Sequence, residues 1–385
     1  MVEWRNLVDI SDVKYGYPFE AASFAEDATY IPLIRIRDVK SGVASTYYSG
    51  DYNKEYIIKK GDILVGMDGE FNLAKWNDRD GLLNQRVLKL SGKDGLCISG
   101  YLYHYMAPVF KNIEKMTAGG SVKHLSAKAI NKIQIPIPSL SEQNRIVGIL
   151  DTFTASIDNL KQQIELRKKQ YEYYINKSFG GTVANMKRLA EEGVYKLETL
   201  AQHGTFTRGR RFVRTDVVEE GQPCIHYGDM YTYYGLSASM ANTHLPVDFP
   251  KKMRYAKKGD VVIVGAGENN EDIGVGLVWQ GEEPAAVHDA CYIYENDFEP
   301  MFVSYFLRSG IYHLQIKSHV VRGKICSISA DGIGKAQIPV FPINKQKEIV
   351  SKLLPFEDLL SNLQQQLSHR QQQYEYYRNK LLTFE

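Results

Sequence analysis

The chain has 385 residues, 44% of them hydrophobic and 24% charged, with a formal net charge of +2. That length allows two or three domains with cores of their own. The near-neutral balance excludes bulk positive charge as a route to nucleic acid, so any such surface must come from local placement of charge.

The N-terminus, Met1-Val2-Glu3-Trp4-Arg5-Asn6, has no basic segment leading into an apolar one, so no secretory signal is expected. Residues 1–138 read as short strands separated by Gly and Asp turns, with a helix near Ser99 to Phe110. A curved or partly barrelled sheet is expected. Lys59-Lys60-Gly61-Asp62 is a turn that leads into the apolar strand Ile63-Leu64-Val65. Base edges are read by paired donors and acceptors, and phosphates by Lys, Arg and backbone N–H groups. On those grounds Lys14 and Tyr15, Arg35 and Arg37, and Gln85 and Arg86 are candidate DNA contacts. So is Lys123, in the glycine-rich run Gly119-Gly120-Ser121-Val122-Lys123-His124. Arg35 and Arg37 alternate with Ile34 and Ile36, which is also what the solvated face of a strand looks like.

Residues 139–180 form a helical segment. Ser139-Leu140-Ser141-Glu142 has the form of a capping box, just after Pro136-Ile137-Pro138. Apolar positions then recur at alternating steps of four and three: Ile146, Leu150, Phe153, Ile157, Leu160 and Ile164, continuing through Arg167, Tyr171 and Tyr174. That is the stripe of a coiled coil. Phe179-Gly180-Gly181 ends it. From Gln143 to Ser178 the helix would run about 54 Å at roughly 1.5 Å per residue.

Residues 181–341 repeat the pattern of the first segment weakly. Trp4-Arg5-Asn6-Leu7 matches Leu197-Glu198-Thr199-Leu200, Gly16 matches Gly209, and Ile34 to Asp38 matches Ile225 to Asp229. The Lys-Gly-Asp turn recurs at Lys257-Lys258-Gly259-Asp260, Trp76 matches Trp279, and Asn84-Gln85-Arg86 matches His288-Asp289-Ala290. The counterpart of the first helix is placed near Phe302 to Leu314. Candidate contacts are Arg208, Arg210 and Arg211, the strongest basic cluster, with Tyr227, His288, and Arg322 and Lys324 in the Val321 to Lys324 loop. Tyr231, Tyr233 and Tyr234 are further aromatic candidates. The chain's 26 tyrosines are equally suited to packing on strands.

Residues 342–385 form a second helical segment. Asn344 is the expected cap after Pro342, and Pro355 is expected to kink or restart the helix. Its stripe is Ile349, Leu353, Phe356, Leu360, Leu363 and Leu367, followed by Arg370, Tyr374 and Tyr377. The two helical segments are copies: 20 of the 44 residues from Gln134 to Lys177 recur without a gap from Gln337 to Lys380, an offset of 203. Connectivity then calls for an antiparallel coiled coil with pseudo-two-fold symmetry and one β-rich α/β domain at each end. The tyrosines of the shared Gln-Tyr-Glu-Tyr-Tyr motif are expected to pack the rod end against a domain or a partner.

Catalytic motifs are missing. There is no Pro-Pro for an adenine methyltransferase signature, and Gly265-Ala266-Gly267 lacks the third glycine of a dinucleotide fingerprint. H-E-x-x-H and G-x-S-x-G do not occur. Cys97, Cys224, Cys291 and Cys326 form no C-x-x-C pair, so neither zinc nor a disulfide framework is expected. The longest apolar run, near Val261 to Val264, is far too short to cross a bilayer. A cytoplasmic, non-catalytic protein without metal is expected.

The order of domain, helix, domain, helix resembles the specificity subunit of type I restriction-modification enzymes. The local match is Ile135-Pro136-Ile137-Pro138 through Glu142-Gln143 to Ile146, which is similar to that family's lead into its spacer helix. The second copy, Phe341-Pro342-Ile343-Asn344-Lys345-Gln346, departs from it by lacking equivalents of Pro138 and Glu142. The resemblance implies target-recognition domains at 1–138 and 181–341, and spacer helices at 139–180 and 342–385. It implies a subunit without catalysis of its own that reads a bipartite sequence in double-stranded DNA. The implied partners are two modification subunits, which methylate adenine with S-adenosylmethionine, and restriction and translocase subunits in the full complex. A rod of about 50 Å suits half-sites one to one and a half DNA turns apart, at roughly 34 Å per turn. Two alternatives are a coiled-coil scaffold that binds no DNA and a specificity subunit of a fused restriction-methylation system.

Overall fold

Trp4 pairs with Pro136 in a two-stranded antiparallel ladder, Glu3–Asn6 against Gln134–Ile137. Leu197 pairs with Pro339 in a second such ladder, Lys196–Thr199 against Gln337–Val340. Each ladder joins the start of a β-rich segment to the strand that feeds a long helix. A proline is tolerated in such a two-stranded ladder because an N–H on its outer side has no strand to pair with. The computed structural model describes residues 2–116, 124–249 and 252–384. The chain divides into two units, Met1–Lys161 with Gln365–Glu385, and Gln162–Gln364.

In the first unit an antiparallel sheet has the order Ser11–Tyr15, Val87–Gly92, Ile63–Gly66, Leu73–Lys75. A second, mixed sheet runs Phe24–Ala25, Tyr47–Tyr48, Ile31–Ile34, Gly81–Leu83, Ile57–Ile58, with Ile31–Ile34 parallel to Gly81–Leu83. The second unit repeats both. One sheet is Gly204–Arg208, Cys291–Asn296, Val261–Val264, Gly276–Trp279, Ser237–Ala238. The other is Thr243–Leu245, Gln222–Ile225, Ala285–Val287, Tyr255–Ala256, with Gln222–Ile225 parallel to Ala285–Val287. The strands expected to share one curved sheet therefore lie in two, because the connection through each Lys-Gly-Asp turn moves the chain from one layer to the next.

That turn has the same build in both units. The N–H groups of Lys59 and Lys257 donate to the Asp62 and Asp260 carboxylates at 2.8 and 2.7 Å. Gly61 and Gly259, at φ 93° and 94°, donate to the carbonyls of Trp76 and Trp279. Both indoles are buried, and each N–H finds a carbonyl at 2.8 Å, on Arg79 and Glu283.

The long helices are continuous, Leu140–Ser178 and Ile343–Leu382, and they pack together antiparallel. In the first unit Phe153 stacks on Tyr377 at 5.2 Å, and Ser156, Asn159 and Leu160 share a groove with Gln366, His369 and Arg370. In the second unit Tyr171 stacks on Phe356 at 5.9 Å. Ile157, Ile164 and Leu363 are buried, and Phe153, Leu160, Phe356, Leu360 and Leu367 are half-buried. Ile146 and Leu150 sit in the core of the first unit, and Leu353 in that of the second. The first turns of each helix are thus part of a domain core before the stripe reaches the other helix.

Several local expectations change. Ser139 caps the first long helix, its Oγ accepting from the Glu142 N–H at 3.3 Å, but Glu142 turns to Arg145. The second long helix starts at Ile343, so Asn344 lies inside it rather than capping it, and the Pro342 carbonyl accepts from Lys345 and Gln346. Pro355 does not restart that helix. Pro355 leaves the carbonyl of the exposed Ser351 without its helical donor, while Leu353 and Phe356 hold the turn by packing. The helix expected near Phe302 to Leu314 is two, Pro300–Phe306 and Gly310–Ile316, because the Ser309 hydroxyl caps the Tyr312 N–H and starts a new one. Ser99–Met116 is unbroken despite Pro108. The first long helix ends as expected, with Gly180 and Gly181 at φ 106° and 83°.

All four cysteines are buried and unpaired. Among the described residues no helix is long and apolar enough to cross a membrane, and no His, Cys, Asp and Glu group is placed to hold a metal ion.

Candidate nucleic-acid interface

The parallel strand pair in each unit sets the site. Ile34 pairs with Leu83, so Arg35 and Asn84 leave the sheet together. Ile225 pairs with Val287, so His226 and His288 leave it together, ring centroids 4.7 Å apart. The backbone around these positions is the same. Gly16 and Gly209 each donate at 2.9 Å, to Val87 and Cys291. Tyr17 and Arg210 donate to Leu83 and Val287. The next turn is held from inside, by Asn84 Oδ1 accepting from Gln85 N–H and by His288 Nδ1 accepting from Ala290 N–H. A Cβ on Gly16 would lie 1.9 Å from the Asn84 carbonyl oxygen, and one on Gly209 would lie 2.3 Å from that of His288. Only glycine allows the two segments to approach so closely.

The second unit carries a cleft of about 450 Å³ at this place. Arg208, Arg211, Tyr227 and His288, four of the expected contacts, line it together. Arg208 Nε donates to the Asp289 carbonyl at 2.7 Å, which aims that side chain along the rim. Arg210 is exposed outside the lining, and Arg322 and Lys324 are exposed on a loop whose Ile325 reaches the cleft. Tyr231 and Tyr234 are core-packed, and Tyr233 is exposed.

Sequence reasoning missed Arg214, Glu268 and above all His226. The alignment of Ile34-Arg35 with Ile225-His226 held the signal, since His226 stands where Arg35 was chosen. Burial, together with the charges of His288 and Arg214, lowers His226 to about 4. Burial also lowers His288. His226 Nδ1 accepts from the Gly228 N–H at 3.1 Å, so the neutral ring carries its proton on Nε2. His226 therefore offers a neutral donor to a cleft whose lining also includes Arg208, Arg211, Arg214, Glu268 and Asp289.

In the first unit the expected contacts are less concentrated. Lys14 Nζ bonds the Glu55 carbonyl and lies 4.9 Å over the Tyr56 ring, so it is committed to that loop. Tyr15 and Gln85 are exposed. Arg35 and Arg37 are not on a strand: Arg35 precedes the short helix Ile36–Ser41, its N–H donating to Asp38 at 2.9 Å. Arg37 donates to Ser45 and Thr46. The strand ends at Ile34 because the buried Asp38 carboxylate draws the following N–H into a helical turn. Arg86 pairs with Asp68 at the surface. Lys123 lies outside the described residues.

Both long helices are locked to their domains by a glutamine. Gln143 Oε1 accepts from Ile98 N–H at 2.9 Å, and its amide donates to the Leu96 and Pro138 carbonyls. Gln346 Oε1 accepts from Glu299 N–H at 2.8 Å and donates to Phe341.

The domain family described as type I restriction modification DNA specificity domain matches residues 1–167. The type I restriction enzyme EcoBI specificity subunit of Escherichia coli is 36% identical over 160 residues, covering 42% of this chain and 34% of that subunit. A putative type I restriction enzyme specificity subunit of Haemophilus influenzae is 25% identical over 399 residues, covering 100% of this chain and 96% of that one. The crystal structure of the S subunit of a type I restriction-modification system from M. genitalium has the same fold, with TM-score 0.61 and 17% identity over 100% of this chain and 97% of that one. By its duplicated domains, its paired helices and this full-length likeness, the chain is similar throughout to specificity subunits of type I restriction-modification enzymes.

Proposed function

We propose that the chain reads a bipartite sequence in double-stranded DNA, one half through residues 1–138 and the other through 181–341. The helices at 139–180 and 342–385 set the length of the unread spacer and recruit two modification subunits. Those subunits supply adenine methylation from S-adenosylmethionine, and restriction subunits add translocation and cleavage in the full complex. The observation that carries this reading is one backbone frame bearing unlike side chains, Arg35 and Asn84 in one unit, His226 and His288 in the other. A shared frame with different donors and acceptors is what reading two different half-sites requires. The arginines round the second cleft supply phosphate contacts, which position the domain without specifying sequence.

The test is methylation mapping of DNA from cells that express the chain with its cognate methyltransferase. A split adenine-methylated motif is expected. Seven residues inserted in both long helices should lengthen the unread spacer and leave both half-sites intact. Methylation persisting at the original spacing removes the helices as the ruler.

A further inference from the structure

Arg86 is the one non-glycine residue with a left-handed backbone among the described residues, at φ 71°. For a side chain of that size the conformation is strained, and such strain persists where the surroundings impose it. Here they do. The Arg86 carbonyl accepts from Met67 N–H at 2.9 Å, and the Met67 carbonyl accepts from Leu125 N–H at 2.7 Å. The guanidinium is more than half exposed, and its Nη1 donates to Asp68 Oδ2. The other Asp68 oxygen lies 2.6 Å from His124 Nδ1. Burial works to raise the Asp68 carboxyl, but the hydrogen bonds from His124 and Arg86 outweigh it and hold it below the usual range.

The second unit shows that the frame needs none of this. There Ala290 takes the place of Arg86, its carbonyl accepting from Gly265 N–H at 2.7 Å, and the Gly265 carbonyl accepts from Ile328 N–H. Ala266 pairs with Ser327 where Asp68 pairs with His124. Arg86, Asp68 and His124 are thus replaced together by Ala290, Ala266 and Ser327, with the same backbone bonds kept. The three polar side chains form one device, added to a turn that closes without them.

An arginine offers donors only, in a planar fork, and Nε and Nη2 of Arg86 make no hydrogen bond among the described residues. The base edge that presents two acceptors side by side is guanine N7 and O6. We propose that Arg86 reads a guanine in the half-site of the first domain, with Asp68 and His124 as the positioning residues that preset its fork. This rests on the DNA-reading function above and names the base that this turn selects.

The experiment uses the full chain in complex with its modification subunits, and compares wild type with Arg86→Gly, Arg86→Lys and Asp68→Asn. Methylation motifs and thermal melting are both measured. In wild type, one half-site is expected to contain a guanine that Arg86→Gly and Arg86→Lys no longer require, with discrimination at that position reduced about tenfold or more. The other half-site and the spacer stay as they were. Asp68→Asn should lower discrimination at the same position. Glycine suits φ 71°, so Arg86→Gly should melt no lower than wild type. An unchanged motif in Arg86→Gly, relaxation at a base other than guanine, or melting several degrees lower overturns the proposal. If the wild-type complex modifies no split sequence at all, the DNA-reading function itself fails, an outcome distinct from an intact motif in the variants.

Discussion

The hydroxyl of Tyr374, on the second long helix, lies 2.9 Å from Nδ1 of His104, an imidazole with no exposed surface. His104 Nε2 meets the Asp151 carboxylate of the first long helix at 2.9 Å, and Lys75 reaches the same carboxylate at 3.0 Å. One tyrosine thereby joins both helices to the domain. Its copy 203 residues earlier, Tyr171, makes the corresponding junction in the second unit, donating to Glu357 and lying edge-on to Tyr305. Tyr374→Phe leaves a buried imidazole nitrogen without its donor. Thermal or urea unfolding should show a loss of about 1–2 kcal/mol. Phe in place of Tyr377, which is exposed, should show almost none.

Gln143 is fully buried and satisfies three backbone groups at once, Ile98 N–H and the carbonyls of Leu96 and Pro138. Gln143→Ala strands all three. A loss of about 2–4 kcal/mol is expected in equilibrium unfolding, well beyond that of an alanine at the exposed Gln162.

Gly16→Ala forces a methyl group against the Asn84 carbonyl, and Gly209→Ala forces one against that of His288. Neither neighbour is a flexible side-chain tip, so the turn itself must move. Each substitution should cost about 3 kcal/mol. In the assembled complex, each should also degrade one half-site and spare the other, as read by methylation mapping.

The imidazole of His226 is lowered to about 4 by burial, His288 and Arg214, whereas an unfolded histidine titrates near 6.5. Between those values the unfolded chain binds the proton and the folded chain does not. The neutral ring therefore contributes stability that is fully present above about 6.5 and is lost as pH falls toward 4. His104 and His288, also lowered by burial, act in the same sense. His226→Gln should flatten the decline between pH 7 and pH 5 by on the order of 1 kcal/mol, discounted because the ring borders an open cleft. A decline equally steep in the variant would remove His226 as a contributor.

The helices, their stripe and their glycine stop were legible because each is written in residues a few positions apart. Ser139 as cap and Gly180-Gly181 as terminator follow from local backbone chemistry, and Ile157 and Leu363 from heptad spacing. Reading failed where a distant group intervened. Arg35 and Arg37 looked like the wet side of a strand until Asp38 drew the chain into a helix. Pro355 looked like a break, but packing at Leu353 and Phe356 carries the helix through it. Gln143 and Gln346 were visible as repeated letters, yet each also bonds a segment more than 40 residues away.

The duplication, the order of domain and helix, and the family likeness are properties of the linear sequence, since they depend on pattern and spacing alone. Which side chains meet is a property of the fold. That Arg35 and Asn84 leave one strand pair together, and that the His226 ring meets that of His288, come from parallel pairing of strands about 50 to 60 residues apart. A parallel pair is set by the sheet that surrounds it, so no local pattern in either strand names its neighbour. The meeting of Arg86, Asp68 and His124 likewise comes from three separate segments that close on one turn.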